Sequence, residues 1–182
     1  KRRENFYVDF YNTAWFLNKN TSEFYHKSKL VPGVEIMPYP AVFKLLEPLA
    51  INLGGIAGSL GRQDSATVFR TKNIKVAPLI CYESVFGNFV TRFIDKEANL
   101  IAIITNDAWW GNTPGYKQHF SYARLRAIEN RKYIVRSANT GISGIIDPGG
   151  NILKKTNYWE EAVINSTVYL NSHKTFFSRF GN

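Results

Sequence analysis

The run Val76-Ala77-Pro78-Leu79-Ile80 stops abruptly at Cys81-Tyr82-Glu83-Ser84, and this boundary constrains the chain more than any other feature. The apolar stretch is short, rich in Val, Ile and Leu, and free of turn residues after Pro78, the pattern of a buried strand. Beyond the boundary Val85, Phe86, Phe89, Val90, Phe93 and Ile94 recur at helical spacing, which predicts a helix with Ser84 as its N-cap. Cys81 is thereby predicted at a strand-to-helix bend. A thiol there faces solvent and feels the positive end of the helix dipole, which favours the reactive thiolate. The plainer reading is a small buried hydrophobe, and this residue by itself does not choose between the two.

The flanking sequence supplies the layers around that bend. Residues 100–105 form a second apolar run, the pattern of a strand covered on both faces, and end in Asn106-Asp107-Ala108-Trp109-Trp110-Gly111. Thr113 and Pro114 predict the start of a helix, as N-cap and first position, with an inner stripe of Tyr116, Phe120, Ala123, Ala127 and Ile128. Strands are expected over residues 133–136 and 162–170, with a hairpin of residues 142–147 and 151–155 between them. On the N-terminal side, an aromatic strand within residues 5–18 turns at Lys19-Asn20 into a second strand at residues 23–27. A Pro/Gly loop follows to Glu35, then a short helix over residues 41–50. Gly54, Gly55, Gly58 and Gly61 do not make a phosphate loop, because no Lys-Ser/Thr follows them. Residues 67–70 and 74–76 predict another hairpin leading into the Cys81 strand. Strand and helix alternate and hairpins follow, so the fold class is α/β, layered on a largely buried sheet.

The strand ends then gather Cys81, Asn106, Trp109 and the 27–35 loop. A thiolate nucleophile needs a proton acceptor and a group to hold the developing oxyanion. His26, His119 and His173 do not sit in the setting of a Cys–His pair, and His119 is able to point either way from its helix. Lys27 is the candidate electrostatic partner, with Glu35 or Glu83 handling protons. With a single cysteine, neither an internal disulfide nor a zinc cluster around Cys81 is possible, and no metal or other cofactor is called for. The 23 Lys+Arg against 14 Asp+Glu suggest an acidic partner, nucleic acid or an anionic membrane surface. These basic residues are scattered, though, and most read as solvated surface. No run approaches the roughly 18 to 20 apolar residues that span a bilayer. The chain opens on Lys1-Arg2-Arg3-Glu4 without a signal peptide, and is expected to be a piece of something longer.

Several ordered motifs together carry a resemblance. Tyr25-His26-Lys27-Ser28-Lys29-Leu30-Val31-Pro32, Ile80-Cys81-Tyr82-Glu83 and Asn106-Asp107-Ala108-Trp109-Trp110-Gly111 resemble the nitrilase (carbon–nitrogen hydrolase) superfamily. Gln118-His119, Arg124, Arg126-Ala127 and Glu129, with Arg136 to Ile142 and the Thr175–Gly181 ending, are most similar to its apolipoprotein N-acyltransferase branch.

The resemblance implies an αββα sandwich, of which residues 1–182 would be the C-terminal portion, and a Glu-Lys-Cys triad. Cys81 matches the nucleophile, Lys27 the lysine and Glu35 an additional glutamate near the site. The triad's own glutamate and the branch's membrane helices would lie upstream, leaving this stretch inactive alone. Tyr82, Glu83, Asn106 and Trp109 are the expected substrate-binding residues, Glu83 shaping the site rather than replacing the base. The implied partners are a phospholipid acyl donor, an apolipoprotein acceptor and a membrane surface, with no nucleic acid. The implied location is the bacterial inner membrane, with the catalytic domain facing the periplasm. Two rivals stand beside this reading: a soluble nitrilase or amidase acting on a small amide, and a non-catalytic lipid- or envelope-binding module.

Overall fold

The computed structural model describes residues 9–36 and 59–181. A six-stranded mixed sheet forms its centre, in the order β3-β4-β5-β6-β7-β8, beside a two-stranded hairpin, β1-β2. The hairpin pairs β1 (Thr13–Leu17) antiparallel with β2 (Ser22–His26), Thr13 opposite His26. Asn18 makes the turn, its side-chain oxygen accepting from the backbone N–H groups of Asn20 and Thr21. In the main sheet, β4 (Lys75–Ile80), β5 (Leu100–Thr105) and β6 (Ile134–Ala138) run parallel. The short β3 (Phe69–Arg70), β7 (Gly144–Ile146) and β8 (Ile152–Lys155) close it antiparallel on either side.

The parallel strands are joined by α1 (Gly87–Asp95) and α2 (Gly115–Asn130), which also pack on each other, as crossovers between parallel strands require. Phe89, Val90, Phe93 and Ile94 of α1 are buried with Ala77 and Leu79 of β4 and Ile101 and Ile103 of β5. Full burial of each such side chain contributes about 1.5–3 kcal/mol. The edge of Phe93 meets the ring of Tyr25 at 5.6 Å, which ties the hairpin to the same core. The short α3 (Phe176–Phe180) is capped by Thr175, whose hydroxyl accepts from the Ser178 N–H.

Five expectations change. Ser84 does not cap α1: a 3-10 turn over Cys81–Val85 intervenes, and α1 starts at Gly87 with Phe86 as N-cap. The helix dipole therefore begins six positions past Cys81 and does not act directly on its thiol. At α2 the cap moves by one, to Pro114, while Thr113 donates its hydroxyl to the Trp110 carbonyl. Ile128 leaves the inner stripe and is exposed, whereas His119, Arg126 and Asn130 enter it. Residues 162–170 form no strand; Val163 is 98% exposed there, and no described strand lies alongside to pair with it. The sheet is also covered less evenly than expected: Ile101 and Ile103 are buried, but Ile104 is 40% exposed where β5 reaches the site. The helix expected over residues 41–50, and Gly54, Gly55 and Gly58, lie outside the described residues.

Candidate active site

Strand β4 ends at Ile80, and Cys81 turns the chain with φ +52°, a left-handed conformation that a non-glycine residue adopts at a cost of about 1–2 kcal/mol. The thiol is half-buried. It lines a cavity of about 620 Å³ together with Lys27, Glu35, Asn106 and Trp109. Loop, elbow and the end of β5 thus meet around one space. A second cavity of about 450 Å³ also touches Cys81 and is walled by Val31, Val34, Tyr82, Val85, Trp109 and Trp110. Its lining is mostly apolar, and Cys81, Val34 and Trp109 belong to both walls.

Lys27 is fully buried, and its Nζ donates to both Glu35 oxygens at 2.8 Å. Glu35 is held in turn by the Val31 N–H at 2.7 Å and by the Asn12 amide. The tight loop brings this about, since the N–H groups of Val34, Glu35 and Ile36 all fold back onto the Val31 carbonyl. Gly33, with φ +80°, supplies the turn that residues with a side chain adopt poorly.

Glu83 does not line either cavity. Its carboxylate is buried beneath the elbow and accepts from Tyr25 Oη and the Ser28 N–H at 2.6 Å, the Ile80 N–H at 2.8 Å and the Lys29 N–H at 3.3 Å. Burial raises its pKa, and those donors oppose the rise. Burial and the neighbouring Glu83 push the Tyr25 phenol upward, so it stays a donor. Glu83 therefore pins the segment carrying Lys27 to the segment carrying Cys81, and reaches the site through them.

Behind the elbow lies a network that the sequence reading passed over. His119 Nδ1 sits 2.9 Å from Asp107 Oδ1, and Arg136 Nη2 donates to Asp107 Oδ2 at 2.6 Å. Burial alone would raise the Asp107 carboxyl; the His119 hydrogen bond and the Arg136 charge outweigh it and hold it below the usual carboxylate range. Asp107 packs so closely over Gly141 that a β-carbon there would collide with its carboxylate. His119 Nε2 lies 3.2 Å from both the Cys81 carbonyl and Ser84 Oγ. The signal that was available is the pairing of Asp107 with Arg136 and Gly141, three polar or glycine positions at the ends of two adjacent apolar strands.

Comparison with known sequences places this geometry. Residues 2–175 match the carbon–nitrogen hydrolase family model. The chain belongs to that family. Among curated relatives it is 34% identical over 174 residues to a protein of Chlorobaculum tepidum and 39% identical over 177 residues to one of Rickettsia prowazekii. A Rickettsia bellii protein is 41% identical over 187 residues. All three are named apolipoprotein N-acyltransferase, and the alignments cover 92%, 96% and 100% of this chain. The chain spans about a third of their length, 33% to 36%.

Solved structures agree on the fold. Saccharomyces cerevisiae Nit3, of the nitrilase superfamily, superposes with a TM-score of 0.61 at 21% identity, over 83% of this chain and 51% of that one. The Xanthomonas campestris CN-hydrolase superfamily protein XC1258 gives 0.62 at 18% identity, over 87% and 57%. The architecture is that of the nitrilase superfamily.

Proposed function

We propose that this chain carries the nucleophile of an N-acyltransferase that moves a fatty acyl group from a phospholipid to the amino terminus of a lipid-modified apolipoprotein. The observation that carries the reading is the meeting of Cys81 with the buried Lys27–Glu35 pair on one cavity wall, opening beside an apolar cavity of about 450 Å³. The names of its relatives supply the substrate class.

On this reading the Cys81 thiolate adds to the phospholipid ester carbonyl. The tetrahedral intermediate collapses by breaking the bond to the glycerol oxygen, which leaves with the proton given up by the thiol. The acyl chain remains as a Cys81 thioester. The acceptor amine then attacks, the thiolate departs, and the amine's surplus proton returns to the same base. That base is a glutamate from outside this chain, as in the triad that the sequence motifs imply. Lys27 has two of its three N–H groups committed to Glu35, which leaves the third for the oxyanion alongside the Tyr82 backbone N–H. One such donor contributes about 3 kcal/mol in the transition state. Tyr82, Trp109 and Trp110 offer the acyl chain an apolar wall. Among the described residues no helix is long and apolar enough to cross a membrane, and the charge of +9 suits work beside anionic lipid at the periplasmic face of an inner membrane.

The test is intact-mass spectrometry of the full-length protein after exposure to phospholipid vesicles. An acyl adduct removable by hydroxylamine, and absent from Cys81→Ser, is expected. A Cys81→Ser protein that still transfers acyl groups would overturn the assignment, and turnover of small amides without any lipid adduct would move the protein to the hydrolases.

A further inference from the structure

The Cys81 carbonyl is the point where the elbow is fastened. Ser84 Oγ donates to it at 2.8 Å, and His119 Nε2 lies 3.2 Å from it. His119 is held at both ring nitrogens. At Nδ1 the ring meets Asp107 Oδ1 at 2.9 Å and the Arg136 Nη2 donor at 3.3 Å. On the other side, the Cys81 carbonyl only accepts, and the Ser84 hydroxyl has spent its hydrogen on that same carbonyl, so Nε2 is the donor of its contact with Cys81.

We propose that Ser84 and His119 form a two-donor latch on the Cys81 carbonyl, which holds the nucleophile in its left-handed conformation, and that Asp107 and Arg136 set His119 in that latch. The inference rests on the reading of Cys81 as a nucleophile, but not on the identity of its substrate. His119 is a positioning residue here; it acts on the thiol through the backbone. Three further observations support the latch. The left-handed backbone at Cys81 is unfavourable for a non-glycine residue, so the surrounding structure must impose it. Each latch partner is nearly or fully buried, with Ser84 and Asp107 at 0%, Arg136 at 1% and His119 at 4% exposed, and their interactions are correspondingly strong. Finally, the charges of Cys81 and Arg136 are close enough to be felt by each other: burial lowers the Arg136 pKa, while Asp107 and Cys81 raise it. The charged and titratable groups around the latch are Asp107 beyond β5, Arg136 on β6, Cys81 itself, and Tyr122 and Arg126 on the helix of His119, with Arg126 donating to the Ser84 carbonyl at 3.5 Å. Lys27 and Glu35 face Cys81 across the cavity.

Two substitutions of similar size separate this role from simple packing. A glutamine at 119 places an amide where Nε2 stands and still reaches the Cys81 carbonyl. An asparagine reaches only as far as Nδ1, keeping the bond to Asp107 and losing the one to Cys81. In the full-length protein, iodoacetamide alkylation of Cys81, read on its peptide by mass spectrometry, is expected to stay within about threefold of wild type in His119→Gln. It should slow about tenfold in His119→Asn, the equivalent of one lost hydrogen bond of about 1.4 kcal/mol. Equal rates in the two variants, both fast or both slow, overturn the latch. Thermal melting is followed alongside. Should the asparagine variant not fold, Ser84→Ala gives the decision, because it removes the other donor to the same carbonyl: slowed alkylation supports the proposal and an unchanged rate overturns it. Alkylation needs no lipid, so a wild-type protein that forms no acyl adduct would sink the acyltransferase reading and leave this result standing.

Discussion

Two lysines among the described residues are wholly buried, and they are buried in different ways. Lys27 faces a carboxylate, both oxygens of Glu35 lying 2.8 Å from its Nζ. Lys132, between α2 and β6, donates to the His173 carbonyl at 2.6 Å and meets no carboxylate among the described residues. Burying an ammonium costs several kcal/mol, which a counter-charge with good geometry offsets and a neutral carbonyl offsets only in part. Burial accordingly lowers the Lys132 amine from its ordinary 10.5 to about 8. The difference separates two uses of buried charge. Lys132 fastens the C-terminal segment to the end of the sheet, a task that needs only a donor. Lys27 stands on a cavity wall, paired with a carboxylate and with a third N–H uncommitted.

The comparison breaks most severely at Glu35. Glu35→Gln leaves the Lys27 ammonium buried with a neutral amide, and is expected to destabilise the fold by about 3–5 kcal/mol. Replacing both partners, Lys27→Met with Glu35→Leu, should restore much of that stability while leaving no acyl transfer. Urea unfolding of the single and double variants checks this, and a double variant no more stable than Glu35→Gln would show that the pair is not coupled. Lys132 gives the next effect, and its sign is set by pH. Between about 8 and 10.5 the unfolded chain still holds a proton that the folded chain has released, so wild-type stability rises with pH across that window. Below about 8 the whole cost of the buried charge is present. Lys132→Met removes the cost, so its stability relative to wild type should be greatest near neutrality. It should decline as pH rises through the window, by at most about 3 kcal/mol. A difference between the two proteins that stays flat with pH would mean that burial does not lower the Lys132 amine in the fold.

Lys27 and Lys132 also mark how far the sequence could be read. Lys27 and Glu35 were singled out from the many Lys and Glu only by the family resemblance, whereas Cys81, Asn106 and Trp109 were legible because each lies at or just past the end of an apolar run, and such punctuation is local. The structure brings these five around one cavity. Strands β4, β5 and β6 were legible for the same reason. The inner face of α2 was not. Tyr116, Phe120, Ala123 and Ala127 announce a stripe, but the burial of His119, Arg126 and Asn130 depends on distant partners. His119 is satisfied by Asp107 and Cys81, and Arg126 by the Val85 carbonyl at 3.0 Å and Glu129 at 2.7 Å. Hydrophobicity counts such residues as surface. Residues 162–170 failed in the opposite direction, since β-branched and aromatic residues suggest a strand only where another strand offers hydrogen bonds.

Glu83 sharpens the comparison from the acid side, as a buried carboxylate without a counter-charge among the described residues, held by neutral donors where Glu35 is held by an ammonium. Tyr25→Phe removes one of those donors and leaves the ring's contact with Phe93 in place. Burial raises the Glu83 pKa in the fold, so its protonated form favours the folded state: that contribution is whole below the ordinary carboxylate range and is lost as pH rises through the folded value. The Tyr25 hydroxyl works against this rise, because it bonds the ionised form more strongly than the protonated one. Its removal should therefore cost little in acid and about 1 kcal/mol more once Glu83 is ionised. The wild-type-to-variant gap would open with rising pH, the reverse of the gap at Lys132. Because Glu83 also accepts from the Ser28 and Lys29 N–H groups, the same substitution should loosen the segment that presents Lys27. Hydrogen exchange at those two amides would speed up in Tyr25→Phe while exchange in β5 stays unchanged. Equal exchange at all of these sites would mean that Glu83 holds the loop without help from Tyr25.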